Sequence, residues 1–273
     1  MAAAIGECGK LAQGIKAQLP NGSMPIQDRF VVRDARLSDG AIQFLTTDVD
    51  YVKHCQAAAS ITPSEFFRGN TGDWAPIQQS LDVRRGLTDT ILKDYFLDSE
   101  EGDRTAELLI VQSHAGAGKS VFLRRLAWDA AFDFDRLCLF LTPYGRMNSA
   151  AIEEICDLAK ERVYLFVDDA QYRVRALVTT VRALDSQNVP VTIVAAVRRN
   201  EWNMFGDAAE DLITDRYDLN RLTDGEVDVL LGKLEQHNAL GHLAKLPRAE
   251  RRGQLVEHAG RQLLVALHEA TLG

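Results

Sequence analysis

The sequence lacks the features of membrane and secreted proteins. No stretch approaches the roughly 18 consecutive apolar residues of a transmembrane helix, and the opening MAAAIGECGK has no basic segment before a long apolar one. Its four cysteines have no C-x-x-C spacing, and Cys138 and Cys156 fall in apolar segments where a small buried side chain fits. We therefore expect a cytoplasmic chain with reduced thiols and no membrane partner.

An excess of positive charge is also missing. The formal net charge is −8, from 31 Lys and Arg against 39 Asp and Glu. A broad attraction to nucleic acid is not expected from this balance, so direct nucleic-acid binding is not favoured, although the net charge does not exclude a local basic patch. The length of 273 residues and the 46% hydrophobic content are instead typical of one large α/β domain or two smaller ones.

Short apolar runs alternate with helical periodicity from residue 106 onward, which is typical of a parallel sheet flanked by helices. The five candidate strands are residues 108–112, 137–142, 163–167, 191–197 and 217–219. These runs consist mainly of apolar residues, which predicts that the sheet is buried on both faces. After residue 219 no strand pattern follows, and Thr223-Asp224-Gly225-Glu226 has the form of a capping box that opens a helix.

Three parts are expected from these patterns. Residues 1–65 form a segment of unassigned fold, for which a β-hairpin is predicted with strands at 30–32 and 41–45. Residues 66–220 form an α/β domain with a parallel five-stranded sheet flanked by helices, and residues 221–273 a small all-helical, lid-like subdomain.

The clearest motif is SHAGAGKS at residues 113–120, which lies between a predicted strand and a predicted helix. It matches the phosphate-binding pattern G-x-x-x-x-G-K-[ST], except that Ser113 replaces the first glycine. In such a loop, backbone N–H groups and a helix N-terminus bind the anion, the lysine reaches the terminal phosphates and the hydroxyl binds Mg²⁺. The candidate nucleotide-binding residues are Ser113, His114, Ala115, Gly116, Ala117, Gly118, Lys119, Ser120 and Val121. We expect the loop to tolerate Ser113, because the first position shapes the entry turn and does not contact the phosphate through its side chain.

Two later strands end in charged residues. VYLFVDDA ends in Asp168 and Asp169, and VTIVAAVRRNEW runs into Arg198 and Arg199. Carboxylates at a strand end can hold Mg²⁺ and activate water, and an arginine there can reach a terminal phosphate. Taken alone, the aspartates could instead form a turn or helix cap, and the arginines a solvated charge cluster.

Together these three segments resemble the nucleotide-binding domain of STAND ATPases, the signal-transducing branch of the AAA+-related P-loop NTPases. The resemblance continues over residues 219–246 and 259–273, which are similar to the helical subdomain, with residues 260–267 where many members carry G-x-P-L-A. Upstream, FFRGNTGDWAPIQQSLDVRRG resembles the segment before the loop in bacterial members. Trp74 and Ile77 in that segment are candidates for the adenine pocket.

The resemblance implies particular roles. It places the strand of Arg198 between the other two, with Arg198 as the sensor of the γ-phosphate. Asp168 and Ser120 would hold Mg²⁺, and Asp169 would activate water. Many relatives have glutamate at this last position, so the shorter aspartate predicts slow hydrolysis. The implied ligands are ATP or ADP with Mg²⁺, and the implied partners are further copies in the ATP state together with effector and sensor domains or proteins outside this chain.

Four functions remain open at this point. The first is an ATP-dependent switch in signalling or antiphage defence, and the second is a nucleotide-bound scaffold without turnover. The third is a small-molecule kinase with the same phosphate loop. The fourth is a DNA-processing ATPase, suggested by Arg248, Arg251 and Arg252, although such clusters are usually solvated helix faces.

Overall fold

The computed structural model describes residues 26–30, 36–55, 61–70, 74–97 and 106–271, so Cys8 and residues 31–32 of the predicted hairpin lie outside it. The dominant feature of the described residues is a six-stranded sheet. Its strands are β1 (Val49–Tyr51), β2 (Ala106–Ser113), β3 (Leu137–Leu141), β4 (Val163–Val167), β5 (Val191–Arg198) and β6 (Asp215–Asp218).

The predicted α/β class is confirmed, and the five predicted strands are present as β2 to β6, which run parallel to one another. Every residue of β3 and β4 is buried, which explains their continuously apolar sequences. The predicted number of five strands is wrong, because β1 pairs with β3 in the antiparallel direction. Its three residues are too few for a recognisable pattern of alternation.

The strand order is β1-β3-β4-β5-β2-β6. β5 therefore lies between β2 and β4, as the family resemblance implied. Ser113 at the end of β2 pairs in register with Arg198 at the end of β5. Because the carboxyl ends of parallel strands meet at one edge, this order brings the three sequence motifs together there.

Helices cover both faces of the sheet. The α-helices of the described residues are α1 (Asp39–Gln43), α2 (Pro63–Phe67), α3 (Ala75–Gln78), α4 (Gly86–Leu92), α5 (Lys119–Phe132), α6 (Ser149–Ala159), α7 (Val174–Ser186), α8 (Arg199–Phe205), α9 (Asp224–Gln236), α10 (Arg248–Gly253) and α11 (Leu263–Thr271). Apolar residues of α1, α6 and α7 pack on one face, and those of α4 and α5 pack on the other. Burial on both sides is what the apolar strands require.

The predicted β-hairpin is wrong at its second strand. Residues 41–45 belong to α1 and to the π-helical turn Phe44–Asp48 that continues it. The side chain of Ser38 caps α1 by accepting a hydrogen bond from the Ala41 N–H at 3.2 Å. A short apolar run fits either a strand or one buried side of a helix, and here packing against α6 selects the helix.

The predicted capping box of α9 is present. Thr223 accepts a hydrogen bond from the Glu226 N–H, and the Glu226 carboxylate accepts one from the Thr223 N–H at 2.8 Å. No helix in the described part of the chain has both the length and the apolar character needed to cross a lipid bilayer.

The apolar sides of α9 and α11 and of the turns between them form a cluster of their own, separate from the two that cover the sheet. This cluster also includes Phe66, Phe67 and Leu81, which precede β2 in the chain. The C-terminal helices are therefore packed against the segment that leads into the sheet. The proposed domain boundaries near residues 65 and 220 stay predictions.

Candidate nucleotide-binding site

The loop between β2 and α5 has the backbone of an anion-binding turn. Gly116 and Gly118 have φ of 77° and 86°, in the left-handed region that glycine adopts without strain. α5 begins at Lys119, directly after Gly118, so the unpaired N–H groups of its first turn lie at the loop. Ser113, in contrast, is the last residue of β2 and has no positive φ. A side chain fits there because the backbone does not need glycine.

Lys119 lies deep in this loop, with only 7% of its surface exposed. Burial lowers the pKa of its ammonium group, and the nearby charge of Arg198 lowers it further. Asp169 and Asp168 act in the opposite direction without cancelling the effect. A buried cation with this balance is stabilised by any anion that enters the loop.

The two aspartates of the second motif follow β4 and have different surroundings. The Asp169 N–H donates a hydrogen bond to Asp168 Oδ1 at 2.9 Å. Asp169 adopts a left-handed backbone with φ of 46°, and its Oδ1 accepts a hydrogen bond from Gln171 Nε2 at 3.0 Å. A non-glycine residue in this conformation is strained, and such strain occurs often at functional sites.

Arg198 lies between two carboxylates. Its Nε is 3.9 Å from Asp169 Oδ1, and its Nη1 donates a hydrogen bond to Glu201 Oε1 at 3.1 Å. Burial opposes the charge, but the hydrogen bond with Glu201 and the nearby carboxylates raise the pKa of the guanidinium above its usual value. The other Glu201 oxygen is buried without a hydrogen-bond partner. Arg198 is thus a fixed cation at the end of β5.

Gln171 was missed by the sequence reasoning and connects these groups. It is buried, its Nε2 binds Asp169, and its Oε1 accepts a hydrogen bond from the Arg198 N–H at 3.2 Å. An amide can donate at one end and accept at the other, so one side chain holds the ends of β4 and β5 in register. The only signal in the sequence was its position shortly after the paired aspartates.

A cavity of about 270 Å³ joins most of the predicted site residues. The predicted site residues that line it are Ala115, Gly116, Ala117, Gly118, Lys119, Ser120, Val121, Asp169 and Arg198. Asp168 does not line this cavity, and Ser113 and His114 line a second cavity of about 680 Å³ that also borders the loop. Arginines 85, 199, 221 and 261 also border that second cavity. The roles of the individual site residues remain predictions.

Apart from the charged residues Asp82 and Arg85, most of the remaining lining is apolar and comes from two sources. Phe66, Phe67, Leu81 and Val83 precede β2, while the C-terminal helices contribute Leu230, Leu263, Leu264 and Leu267. An apolar slot beside a phosphate loop is suited to a flat, weakly polar base.

The residues first considered for the adenine pocket do not line this cavity. Trp74 donates a hydrogen bond from Nε1 to Asp50 Oδ2 at 3.1 Å and packs edge-on against Phe140. Ile77 is buried, and its carbonyl oxygen accepts a hydrogen bond from Arg125. Both residues therefore belong to the packing beneath the site and not to its wall.

The start of α11 rests directly on the phosphate loop. The Leu264 N–H donates a hydrogen bond to the Gly116 carbonyl oxygen at 3.1 Å. A Cβ atom at Gly116 would lie 2.9 Å from Leu264 Cβ, and one at Gly118 would lie 2.6 Å from Leu263 Cδ2. Gly116 is thus needed for this close approach as well as for the turn, whereas the contact at Gly118 is with the flexible end of a side chain.

The basic cluster on α10 is paired with carboxylates. Arg251 and Arg248 lie near Glu235, at 3.0 and 3.6 Å, and Arg252 contacts Asp224 and Asp228 at 2.6 and 2.8 Å. A polyanion would have to displace these acidic partners. The pairing favours a solvated helix face over a DNA-binding one.

The two predicted magnesium ligands both carry oxygen donors. Ser120 supplies a hydroxyl in the first turn of α5, and Asp168 supplies a carboxylate at the end of β4. Oxygen donors of this kind are the ligands that Mg²⁺ prefers, usually with water and phosphate oxygens completing the shell.

A family model described as Novel STAND NTPase 5 matches residues 64–210, which is just over half of the chain. The match includes all three motifs that meet at the edge of the sheet. No curated protein sequence matches the chain.

Solved structures of low sequence identity are similar to the chain over part of its length. A chain of the E. coli MS115-1 HORMA:CdnC:Trip13 complex is 15% identical, with a TM-score of 0.41, covering 71% of this chain and 89% of that one. C. elegans PCH-2 is 16% identical, with a TM-score of 0.40 and coverage of 57% and 52%. S. cerevisiae Hsp104, in its complex with casein, is 15% identical, with a TM-score of 0.45 and coverage of 76% and 38%. The chain thus spans about half of PCH-2 and less of Hsp104.

Proposed function

Because the chain belongs to the family described as Novel STAND NTPase 5, and is therefore a nucleotide-binding P-loop NTPase, we propose that it is an ATP-dependent switch with slow hydrolysis. The observation that carries this proposal is the position of Arg198 between Asp169 and Glu201, at the wall of the cavity that contains the phosphate loop. A γ-phosphate competes with these carboxylates for the guanidinium, and ADP does not. The two nucleotides therefore differ in their contacts, which is what a switch requires.

Different residues of the site bind the phosphates, the metal ion and the base of the nucleotide. The N–H groups of the loop and the Lys119 ammonium hold the β- and γ-phosphates. Ser120 and, at the end of β4, Asp168 would hold Mg²⁺, which would supply positive charge to the phosphate oxygens. The base occupies the apolar slot formed by Phe66, Val83 and neighbouring side chains. This assignment rests on cavity lining and on the family resemblance.

Asp169 is the proposed acceptor of the proton from the attacking water. The water oxygen bonds to the γ-phosphorus, the bond to the β–γ bridging oxygen breaks, and ADP leaves with the bridging oxygen. The hydrogen bond from Gln171 occupies one Asp169 oxygen and limits its reach. A short, restrained carboxylate supports slow hydrolysis, which is suited to a switch and not to an ATPase that performs mechanical work.

The contact between Leu264 and Gly116 couples the phosphate loop to the C-terminal helices, so a change of bound nucleotide can change the position of these helices. A loop that changes its bound phosphate shifts this contact, and α11 moves with it. We infer that the ATP form exposes a surface through which copies of the chain associate. The associated form would act in signalling or antiphage defence, together with effector and sensor partners. The measurement is the molecular mass of the purified chain with ADP and with a non-hydrolysable ATP analogue. An unchanged mass would contradict nucleotide-dependent self-association.

Replacing Lys119 tests the binding assignment. Lys119→Ala removes the buried ammonium and should abolish ATP binding measured by calorimetry, while Lys160→Ala, an exposed lysine at the end of α6, should leave it unchanged. Equal affinities for both variants would show that the nucleotide binds elsewhere.

Replacing Glu201 tests the role of Arg198. Glu201→Gln keeps the side-chain shape but removes one of the two charges that hold Arg198, so the preference for ATP over ADP should increase. Arg198→Gln should remove that preference while ADP affinity changes little. The ratio of the two dissociation constants is the readout, and a ratio that neither variant alters would exclude Arg198 as the sensor.

A nucleotide-bound scaffold without turnover is the second candidate, favoured by the restraint that Gln171 places on Asp169. Phosphate release with Mg²⁺-ATP separates the two functions. Turnover that Asp169→Ala abolishes, with ATP affinity retained, supports the switch. No release above background by the unmodified chain supports the scaffold.

A further inference from the structure

Two tyrosine rings are exposed although the backbone beneath them is firmly held. Tyr144, in the loop between β3 and α6, is 96% exposed, and Tyr172, in the turn between β4 and α7, is 66% exposed. A ring left in water contributes little to the core, whereas a ring on a preorganised loop can bind a partner at low entropic cost. The surroundings of these rings indicate which partner.

The loop that carries Tyr144 is fixed to the neighbouring chain segment. The Thr142 N–H donates a hydrogen bond to the Asp48 carbonyl oxygen, and the Arg146 N–H donates one to Asp48 Oδ1, both at 2.9 Å. A Cβ atom at Gly145 would lie 2.0 Å from the Asp48 carbonyl oxygen, so this approach requires glycine. The position of Tyr144 is therefore built into the fold.

Arg173 joins the two tyrosine-bearing segments. It follows Tyr172 directly, and its guanidinium donates hydrogen bonds to the carbonyl oxygens of Pro143 and Gly145, on either side of Tyr144. These acceptors are uncharged, so they orient the guanidinium without neutralising it. One arginine thus ties the backbone on either side of Tyr144 to the residue that follows Tyr172, and its positive charge lies between the two segments.

An open groove of about 900 Å³ is lined by Tyr172 and by Gly145, the neighbour of Tyr144 in the chain. Three arginines, Arg146, Arg173 and Arg175, and one aspartate, Asp207, line it. Among the ion pairs formed by the described residues, none includes any of these three arginines. The groove is therefore locally positive, although the chain as a whole carries a net charge of −8.

We propose that this tyrosine–arginine surface, formed by Tyr144, Arg146, Tyr172, Arg173 and Arg175, binds single-stranded nucleic acid. Successive unpaired bases stack on the two rings, and the phosphates between them pair with the guanidinium groups. A duplex hides the faces of its bases inside its own stack, and an acidic peptide satisfies the arginines but gives the rings no stacking partner. The proposal does not depend on ATP turnover.

Fluorescence anisotropy of a labelled oligothymidine strand, with the full chain at low salt, tests the proposal. Tyr144→Ala and Tyr172→Ala should each weaken binding roughly tenfold, and Tyr172→Phe should restore it because the ring remains. Phe132→Ala, at a 46% exposed ring on α5, and Arg182→Gln, at an exposed arginine on α7, are the matched controls and should have no effect. Binding should also survive saturating Mg²⁺-ATP, which would displace a strand bound at the phosphate loop.

The salt dependence measures the role of the arginines. Three phosphate contacts predict a slope of about −2 in a plot of log affinity against log salt, and Arg175→Gln should reduce its magnitude by about 0.7. The proposal is overturned if the unmodified chain does not bind the strand at low salt, or if the controls weaken binding as much as the tyrosine variants. It is also overturned if polyglutamate binds through the same tyrosines, because the partner is then an acidic protein.

Discussion

Alanine substitutions at the two glycines of the phosphate loop should differ in cost, although both glycines are left-handed. The conformation alone costs an alanine about 1–2 kcal/mol. At Gly118 the new methyl group would lie 2.6 Å from Leu263 Cδ2, the mobile end of a side chain. At Gly116 it would lie 2.9 Å from Leu264 Cβ, which moves only with the backbone of α11. The second contact cannot be relieved by rotating a side chain.

The magnitudes follow from this difference. Gly118→Ala should cost only the backbone term, and Gly116→Ala should add an overpacking term of about 1–3 kcal/mol, for a total of about 2–5 kcal/mol. In a chain of this size, each kcal/mol lowers the melting temperature by about 2–4 °C. Gly118→Ala should therefore lower it by about 2–8 °C, and Gly116→Ala by about 4–20 °C.

Thermal unfolding of the nucleotide-free chain, followed by far-UV circular dichroism, is the assay. Leu264→Gly should recover the overpacking term of Gly116→Ala in a double-mutant cycle, whereas Leu264→Ala should not, because it retains Cβ. Gly232→Ala on α9, where no atom lies within 4 Å of the new methyl group, is the control and should be neutral or stabilising. Equal losses at Gly116 and Gly118, or equal recovery by both Leu264 variants, would refute the seating of α11 on the loop.

Two further predictions concern buried groups. Arg85→Gln should lower the free energy of unfolding, measured by chemical denaturation, by about 3–5 kcal/mol, because Glu226 at 3.1 Å loses its buried partner. A decrease below about 1 kcal/mol, which is typical of an exposed ion pair, would contradict this. Burial raises the pKa of the Cys156 thiol to about 12 and raises the pKa of the Cys138 thiol further. At neutral pH iodoacetamide should therefore modify Cys55 in the folded chain before it modifies either of them, and peptide mass mapping measures the order. The raised thiol pKa values also predict a stability that is complete below pH 9 and falls as the pH rises towards the folded values, so an alkaline titration without loss of stability above pH 9 would contradict it.

Features that depend on neighbouring residues in the chain were readable from the sequence. β4 matches its predicted bounds because continuous apolar character has one explanation when a turn follows directly. The capping box of α9 was recognisable because Thr223 and Glu226 need only each other. The phosphate loop was recognisable because small residues before Lys119 are a local requirement of anion binding.

Features that depend on packing were missed or assigned wrongly. β1 has only three residues and exists because β3 lies beside it. Residues 41–45 fit a strand and a helix equally well, and contact with α6 decided between them. Gln171 carries no chemical signal of its own, since its role comes from lying between the ends of β4 and β5. Trp74 was a reasonable choice for a base pocket until its hydrogen bond to Asp50 placed it in the interior.

Local pattern and residue chemistry were thus sufficient for the α/β class, the phosphate loop, the strand-end charges and the helix caps, because each of these is satisfied by residues close together in the sequence. Only the tertiary structure brought Leu264 onto Gly116, placed Arg198 between Asp169 and Glu201, and assembled the tyrosine–arginine surface. These contacts join residues far apart in the chain or on separate elements, and their energies depend on distance and burial, which a linear sequence does not contain.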